Sequence, residues 1–150
     1  MKTRYLLGII SLIAILVVGC GSRQLVENNK GFNNKIKEAT SGRVELKELT
    51  NFEWDKAYTF RPYLSKEEIS KIIGINSENL FDTMVDESLI NILFVKDGII
   101  KCSIIGRPEN LGYSFDFGQY KEDYICFSSK EDYIFEVKKE DGINMFEYKK

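Results

Sequence analysis

The sequence predicts an α+β domain: a meander-like antiparallel sheet of about four to six strands, with one or two short helices on one face. Three observations carry this. Two pairs of apolar runs are each split by Asp-Gly, at Asp97-Gly98 and at Asp141-Gly142. That dipeptide supplies the two positive φ angles of a tight hairpin turn. Between the pairs, Tyr113-Ser114-Phe115-Asp116-Phe117 alternates apolar and polar residues at the period of a strand. Upstream, Ser65 to Gly74 carries a complete set of helix start and stop signals.

In chain order, residues 21–31 are polar with a glycine at each end, and read as a tether or as the frayed start of a helix. Phe32, Ile36 and Ala39 suit a short helix, which Ser41-Gly42 would end. Val44, Leu46 and Leu49 suggest a first strand. Phe52, Trp54, Tyr58 and Phe60 share one parity, so a strand there would set four aromatics on one face until Pro62 stops the ladder. Next comes the helix. Ser65 is the N-cap, Glu68 completes a capping box, and Leu64 and Ile69 take the staple positions. Ile69, Ile72 and Ile73 form its apolar stripe, and Gly74 provides a left-handed stop.

Asn76 to Ser88 reads as a polar loop. In the first hairpin, Ile90–Lys96 against Ile99–Ile105, a two-residue turn sets Leu93 opposite Cys102 and Val95 opposite Ile100. In the second, Tyr133–Lys138 against Ile143–Tyr148, it pairs Val137 with Phe146 and Phe135 with Tyr148. The same register sets Glu136 against Glu147, a mild repulsion. Tyr124 to Phe127 supplies one more strand.

The amino terminus carries the address. Met1 to Arg4 is a basic head, Tyr5 to Val18 an almost wholly apolar run, and Gly19 a small residue before Cys20. Those parts in that order are a secretory signal peptide. The apolar run falls short of the ~20 residues that a spanning helix needs. Val17-Val18-Gly19-Cys20 resembles a bacterial lipobox, which implies cleavage before Cys20, lipidation of its thiol and anchorage on the extracytoplasmic face of the cell membrane. A second stretch agrees with it. Trp54-Asp55-Lys56-Ala57-Tyr58-Thr59-Phe60-Arg61-Pro62-Tyr63, followed by a capped helix ending Ile72-Ile73-Gly74, is similar to a segment of small lipoproteins of uncharacterised function from low-GC Gram-positive bacteria. That resemblance covers Phe52 to Gly74 and brings no activity; the lipobox implies residues 1–19 as leader, the polar composition suggests 20–31 as lipidated cysteine and tether, and 32–150 has the size of one domain. The helix also resembles the one before the sheet in outer-membrane assembly lipoproteins of the beta-lactamase-inhibitor-like class.

Composition narrows the chemistry. The chain has 150 residues and a net charge of −2; losing Lys2 and Arg4 with the leader leaves 19 basic and 23 acidic residues, or −4. Such a balance argues against nucleic acid as a partner, because that binding rests on neutralising phosphates. There is no histidine, which excludes Ser-His-Asp and Cys-His catalysis and His-based zinc sites. No catalytic, cofactor-binding or metal-ligating set is assigned. The carboxylates of Glu78, Asp82, Asp86 and Glu87 match no calcium-loop spacing and read as a solvated loop. Trp54 reads as core, with Asp55 bonding nearby backbone, and Tyr113, Phe115 and Phe117 read as core as well. Cys102 and Cys126 are either a disulfide or two buried thiols, since strand adjacency is not written in the sequence.

What is left is binding. A non-catalytic surface lipoprotein that contacts another protein, as an inhibitor or immunity factor does, is the first reading. A small-ligand or sensory module is the alternative, and a glycan hydrolase using carboxylates alone comes third. The expected partner contact is the loop of Tyr120, Lys121, Glu122 and Asp123, with Tyr120 as its exposed anchor.

Overall fold

A computed structural model describes residues 21–84 and 86–149; the leader and Cys20 lie outside the described residues. The α+β class holds, with three helices and eight strands in two sheets of four among the described residues. Helix α1 covers 21–38. Strand β1 (Gly42–Glu45) runs into a 3-10 turn at Leu46–Leu49. Then follow β2 (Lys56–Phe60), α2 (Lys66–Ile73), β3 (Ile90–Lys96) and β4 (Ile99–Gly106). Helix α3 (Pro108–Leu111), β5 (Tyr113–Asp116), β6 (Tyr124–Ser128), β7 (Ile134–Glu140) and β8 (Ile143–Lys149) complete the chain.

The strand orders are β1-β7-β8-β5 and β4-β3-β2-β6, and β5 runs parallel to β8. The sheet is therefore not one meander. Both hairpins form as expected, but they fall into different sheets, and the other strands fill in around them. The inner faces meet in one core, where Phe127 of β6 lies 5.6 Å from Phe117 and 6.3 Å from Tyr148 of β8. A second, smaller core lies on the other face of β4-β3-β2-β6. There Tyr58, Phe60, Leu93, Val95 and Ile100 pack with Leu64 and Ile69 of the α2 region and with Leu80. Strand β3 is consequently buried on both faces, Ile92 and Phe94 to one core and Leu93 and Val95 to the other.

The tether reading of 21–31 gives way to a docked helix. Its buried stripe hides from a hydrophobicity pattern because one position on it, Asn28, is polar. Phe32 and Ile36 are fully buried, while the Asn28 amide donates to Lys101 O (2.8 Å) and Asn29 Oδ1 accepts from Ser103 N–H (2.9 Å). These asparagines satisfy the outer edge of β4, and that is why a core-facing segment is polar. At the other end of α1, the Asn144 amide donates to the carbonyls of Ile36 and Lys37. No described helix is long and apolar enough to cross a membrane.

The aromatic run also departs from expectation. Only Lys56–Phe60 is strand, and the four aromatics split between the two cores. Residues 51–55 bend, held by the Trp54 indole N–H donating to Thr50 Oγ1 at 3.2 Å, so parity is not carried through. Phe52 and Trp54 go to Phe94 in the main core; Tyr58 and Phe60 stack in the small one. Leu46 and Leu49, read as strand residues, are buried from the 3-10 turn.

Helix α2 is as its punctuation requires. Ser65 Oγ accepts from Glu68 N–H at 3.2 Å, Glu68 Oε2 accepts from Ser65 N–H at 2.8 Å, and Gly74 sits at φ 71°. Ser65→Ala should lower stability by about 1 kcal/mol. Urea denaturation should show this as a lower midpoint at unchanged slope.

At both Asp-Gly turns the two φ angles are positive, 49° and 72° at Asp97-Gly98 and 48° and 82° at Asp141-Gly142. The second hairpin has the expected register throughout, Glu136 opposite Glu147 included. Lys149 relieves that pair, lying 3.3 Å from Glu136 and 2.7 Å from Glu147. In the first hairpin Val95 faces Ile100 as expected, but Cys102 faces Phe94 and Leu93 faces Ser103. A bulge at Lys101 is the cause. It turns Ile100 to the small core while Cys102 and Ile104 face the main one.

Cys102 and Cys126 are both free thiols. They stand on β4 and β6, the opposite edges of one sheet, with β3 and β2 between them. Three interstrand steps are roughly 14 Å, twice the reach of a disulfide.

Candidate binding cleft

Where β5 ends, the Asp116 carboxylate accepts from Gly118 N–H at 2.9 Å and turns the chain out of the sheet. Gly118 makes that turn at φ 88°. Phe117, one residue earlier, stays buried, stacked on Phe115 at 4.9 Å. The loop that follows leads to β6. A cleft of about 560 Å³ opens there. Phe117, Tyr124, Ile125 and Tyr148 make its walls, and Gly118, Gln119, Lys121 and Glu122 its rim. The side chains of Gln119, Lys121 and Glu122 make no hydrogen bond or ion pair with any described residue. They stand free for an incoming group.

The four residues expected as the contact loop divide. Lys121 and Glu122 are exposed and line the cleft. Asp123 is tied back, its carboxylate 3.6 Å from Arg61 and its carbonyl accepting from Arg61 N–H. Tyr120 is not an exposed anchor. Its ring is half-buried and its hydroxyl lies 2.8 Å from Thr59 Oγ1, so it pins the loop to β2. Burial also pushes the Tyr120 hydroxyl pKa above its ordinary value. Ile125 and Tyr148 carried no functional signal in the sequence, because each belongs to a strand pattern that reads as core, whereas Phe117 and Tyr124 belong to an aromatic series that could also form a ligand-binding face.

A second hollow, about 530 Å³, surrounds Phe52 and Glu53. Its main charges are already paired. Lys47 bonds Asp132 and Glu45, while Asp55 accepts from Asp97 N–H (2.8 Å) and from Lys96 (3.1 Å). The backbone N–H of Asp97 and then Lys96 hold the Asp55 carboxyl below its ordinary pKa. Trp54 as core and Asp55 as a backbone partner is thus the arrangement found.

The acidic loop is dispersed in the same way. Asp86 accepts from Ser88 N–H and pairs with Arg107, Glu87 accepts from the Tyr63 hydroxyl at 3.0 Å, and Asp82 accepts from Met84 N–H. Among the described residues no three His, Cys, Asp or Glu side chains are grouped to hold a metal ion.

Chemically, the cleft offers aromatic and aliphatic surface, one ammonium and one carboxylate. A glycosidase needs two carboxylates facing across the bond to be cut, and the lining holds one. Burial raises the thiol pKa of both Cys102 and Cys126. No protein family's model matches the chain, and no curated protein or solved structure matches it either.

Proposed function

We propose that this chain is a lipid-anchored lipoprotein on the extracytoplasmic face of the membrane, which works without catalysis by binding another protein, in the manner of an inhibitor or immunity factor. The observation that carries the binding reading is the cleft. Its apolar walls are ringed by polar side chains that no described residue engages, and loops on a rigid sheet are where binding groups usually sit. The address rests on the leader and on Val17-Val18-Gly19-Cys20. Two or three acyl chains, at ~0.8 kcal/mol per buried methylene, hold a protein on a bilayer effectively permanently.

Two experiments test the two halves. Metabolic labelling with a fatty acid should mark the wild type and leave Cys20→Ala unlabelled and uncleaved; equal labelling removes the anchor. Capture from the native cell envelope should give a partner whose recovery falls about tenfold when Lys121→Ala and Glu122→Ala are combined. Both side chains are exposed and unpaired, so the fold is untouched and undiminished capture removes the cleft.

A small-ligand or sensory module is the second reading, favoured by the cleft volume, which lies within the range of small-molecule pockets. A rise in melting temperature with a low-molecular-weight cell extract, and no protein captured, would select it.

A further inference from the structure

We propose that the partner enters as an extended peptide segment that adds as a further strand to the outer edge of β6. This rests on the reading of the cleft as a protein-binding site. Two backbone bonds set the phase of β6. Ser129 N–H donates to Asp55 O, and Asp123 O accepts from Arg61 N–H, both at 2.9 Å. Hydrogen bonding alternates along an antiparallel strand, so Ile125 and Phe127 bond to β2 while Tyr124, Cys126 and Ser128 present N–H and C=O outward. Ser128 is closed off locally, its N–H donating to the Tyr133 hydroxyl and its C=O accepting from Glu131 N–H. No described strand pairs with that side at Tyr124 and Cys126.

The other edge of the same sheet, on β4, is covered. There, Asn28 and Asn29 cover Lys101 O and Ser103 N–H. Unpaired edges are normally protected because they template strand addition, and here one edge is capped while the other opens beside a cleft.

The geometry also specifies the occupant. A residue added opposite Ile125 projects, like Ile125, into the space between the sheets, where Phe117 and Tyr148 wait. Its neighbours project to the opposite face, beside the exposed Cys126. The segment therefore alternates apolar and polar residues. Lys121 and Glu122, unpaired and of opposite sign, ask for one acidic and one basic residue at its flank, and not for a net charge.

The probe is a short synthetic peptide of alternating valine and threonine, flanked by one lysine and one glutamate and labelled for fluorescence anisotropy. It is titrated with full-length protein in detergent micelles. Cys126→Pro deletes one outward N–H without touching the β2 ladder, as an edge strand tolerates. It should weaken binding about tenfold, one hydrogen bond in free energy. Cys126→Ala keeps the N–H and should bind as wild type. Hydrogen exchange on wild type adds a readout that no variant's folding can spoil: the Tyr124 and Cys126 amides should slow when peptide is added.

Absence of peptide binding, or unchanged exchange at both amides, overturns the proposal. Equal binding by a folded Cys126→Pro, together with loss in the Lys121→Ala/Glu122→Ala protein, overturns strand addition alone and leaves the cleft contact standing.

Discussion

Phe94→Ala should cost about 4 kcal/mol, at the upper end of what large-to-small core substitutions remove. Phe94 is fully buried on β3, a strand buried on both faces. Three aromatic rings meet its ring edge-on: Phe32 of α1 at 5.1 Å, Trp54 at 5.3 Å and Phe52 at 5.4 Å. Phe32 comes from α1, and Phe52 and Trp54 from the bend at 51–55, so the substitution loosens α1, that bend and the sheet together. Small domains hold about 5–15 kcal/mol in all, so most of this domain's stability would go. Phe94→Leu, which keeps much of the volume, should cost less than half as much. Urea denaturation measures both, and Trp54, the one tryptophan in the chain, reports on the site. Its emission should shift to the red in the folded state of Phe94→Ala. A loss below about 1 kcal/mol would mean the three rings close over the space.

The elements legible in the sequence were those whose signals are local. The capping box at Ser65 and Glu68, the left-handed Gly74 and both Asp-Gly turns stand where the residues place them, because each is settled within a few positions. What could not be read depends on distant groups. The Lys101 bulge is meaningful only once Asn28 accompanies it, 73 residues earlier in the chain. Two-residue periodicity followed from Ile90 to Ile105 cannot foresee a step that turns Ile100 and Cys102 to opposite cores. Likewise the parity of Phe52, Trp54, Tyr58 and Phe60 was real but spanned a bend, and bends are fixed by tertiary bonds such as Trp54 to Thr50.

The cleft was half legible for a similar reason. Lys121 and Glu122 were reachable as charged loop residues after an aromatic strand. Tyr120 was misplaced because nothing near it in sequence shows that Thr59 waits for its hydroxyl. The walls, Tyr124, Ile125 and Tyr148, are strand residues that line one cleft only because β6 and β8 belong to different sheets, which is a property of the pairing and not of either strand.

The polar network behind Tyr120 supplies the other large effect. Asn91 is 4% exposed and Phe60 1% exposed. The Asn91 side chain serves Phe60 as a strand partner would: Oδ1 accepts from Phe60 N–H at 2.8 Å, and the amide donates to Phe60 O at 2.9 Å. The Thr59 hydroxyl donates to Asn91 Oδ1 at 3.4 Å, and the Tyr120 hydroxyl lies 2.8 Å from Thr59 Oγ1. Asn91→Leu keeps the side-chain branching but should leave the buried Phe60 N–H without an acceptor and Phe60 O with only the Tyr120 hydroxyl at 3.4 Å, a loss of about 3 kcal/mol at about 1–3 kcal/mol for each weakened buried group. Asn91→Asp separates polarity from charge. It keeps the acceptor, but as a carboxylate it has no donor for Phe60 O and is desolvated. The folded protein should then hold the introduced carboxyl in its protonated form, with a pKa above the unfolded value of about 3.9. A folded state that binds more protons than the unfolded one loses stability as pH rises. The deficit of Asn91→Asp relative to wild type should thus be small near pH 4 and widen toward pH 7, whereas that of Asn91→Leu should stay level. Parallel denaturation series at the two pH values measure the difference, and a deficit of Asn91→Asp that did not change with pH would show that the side chain reaches water instead of Phe60.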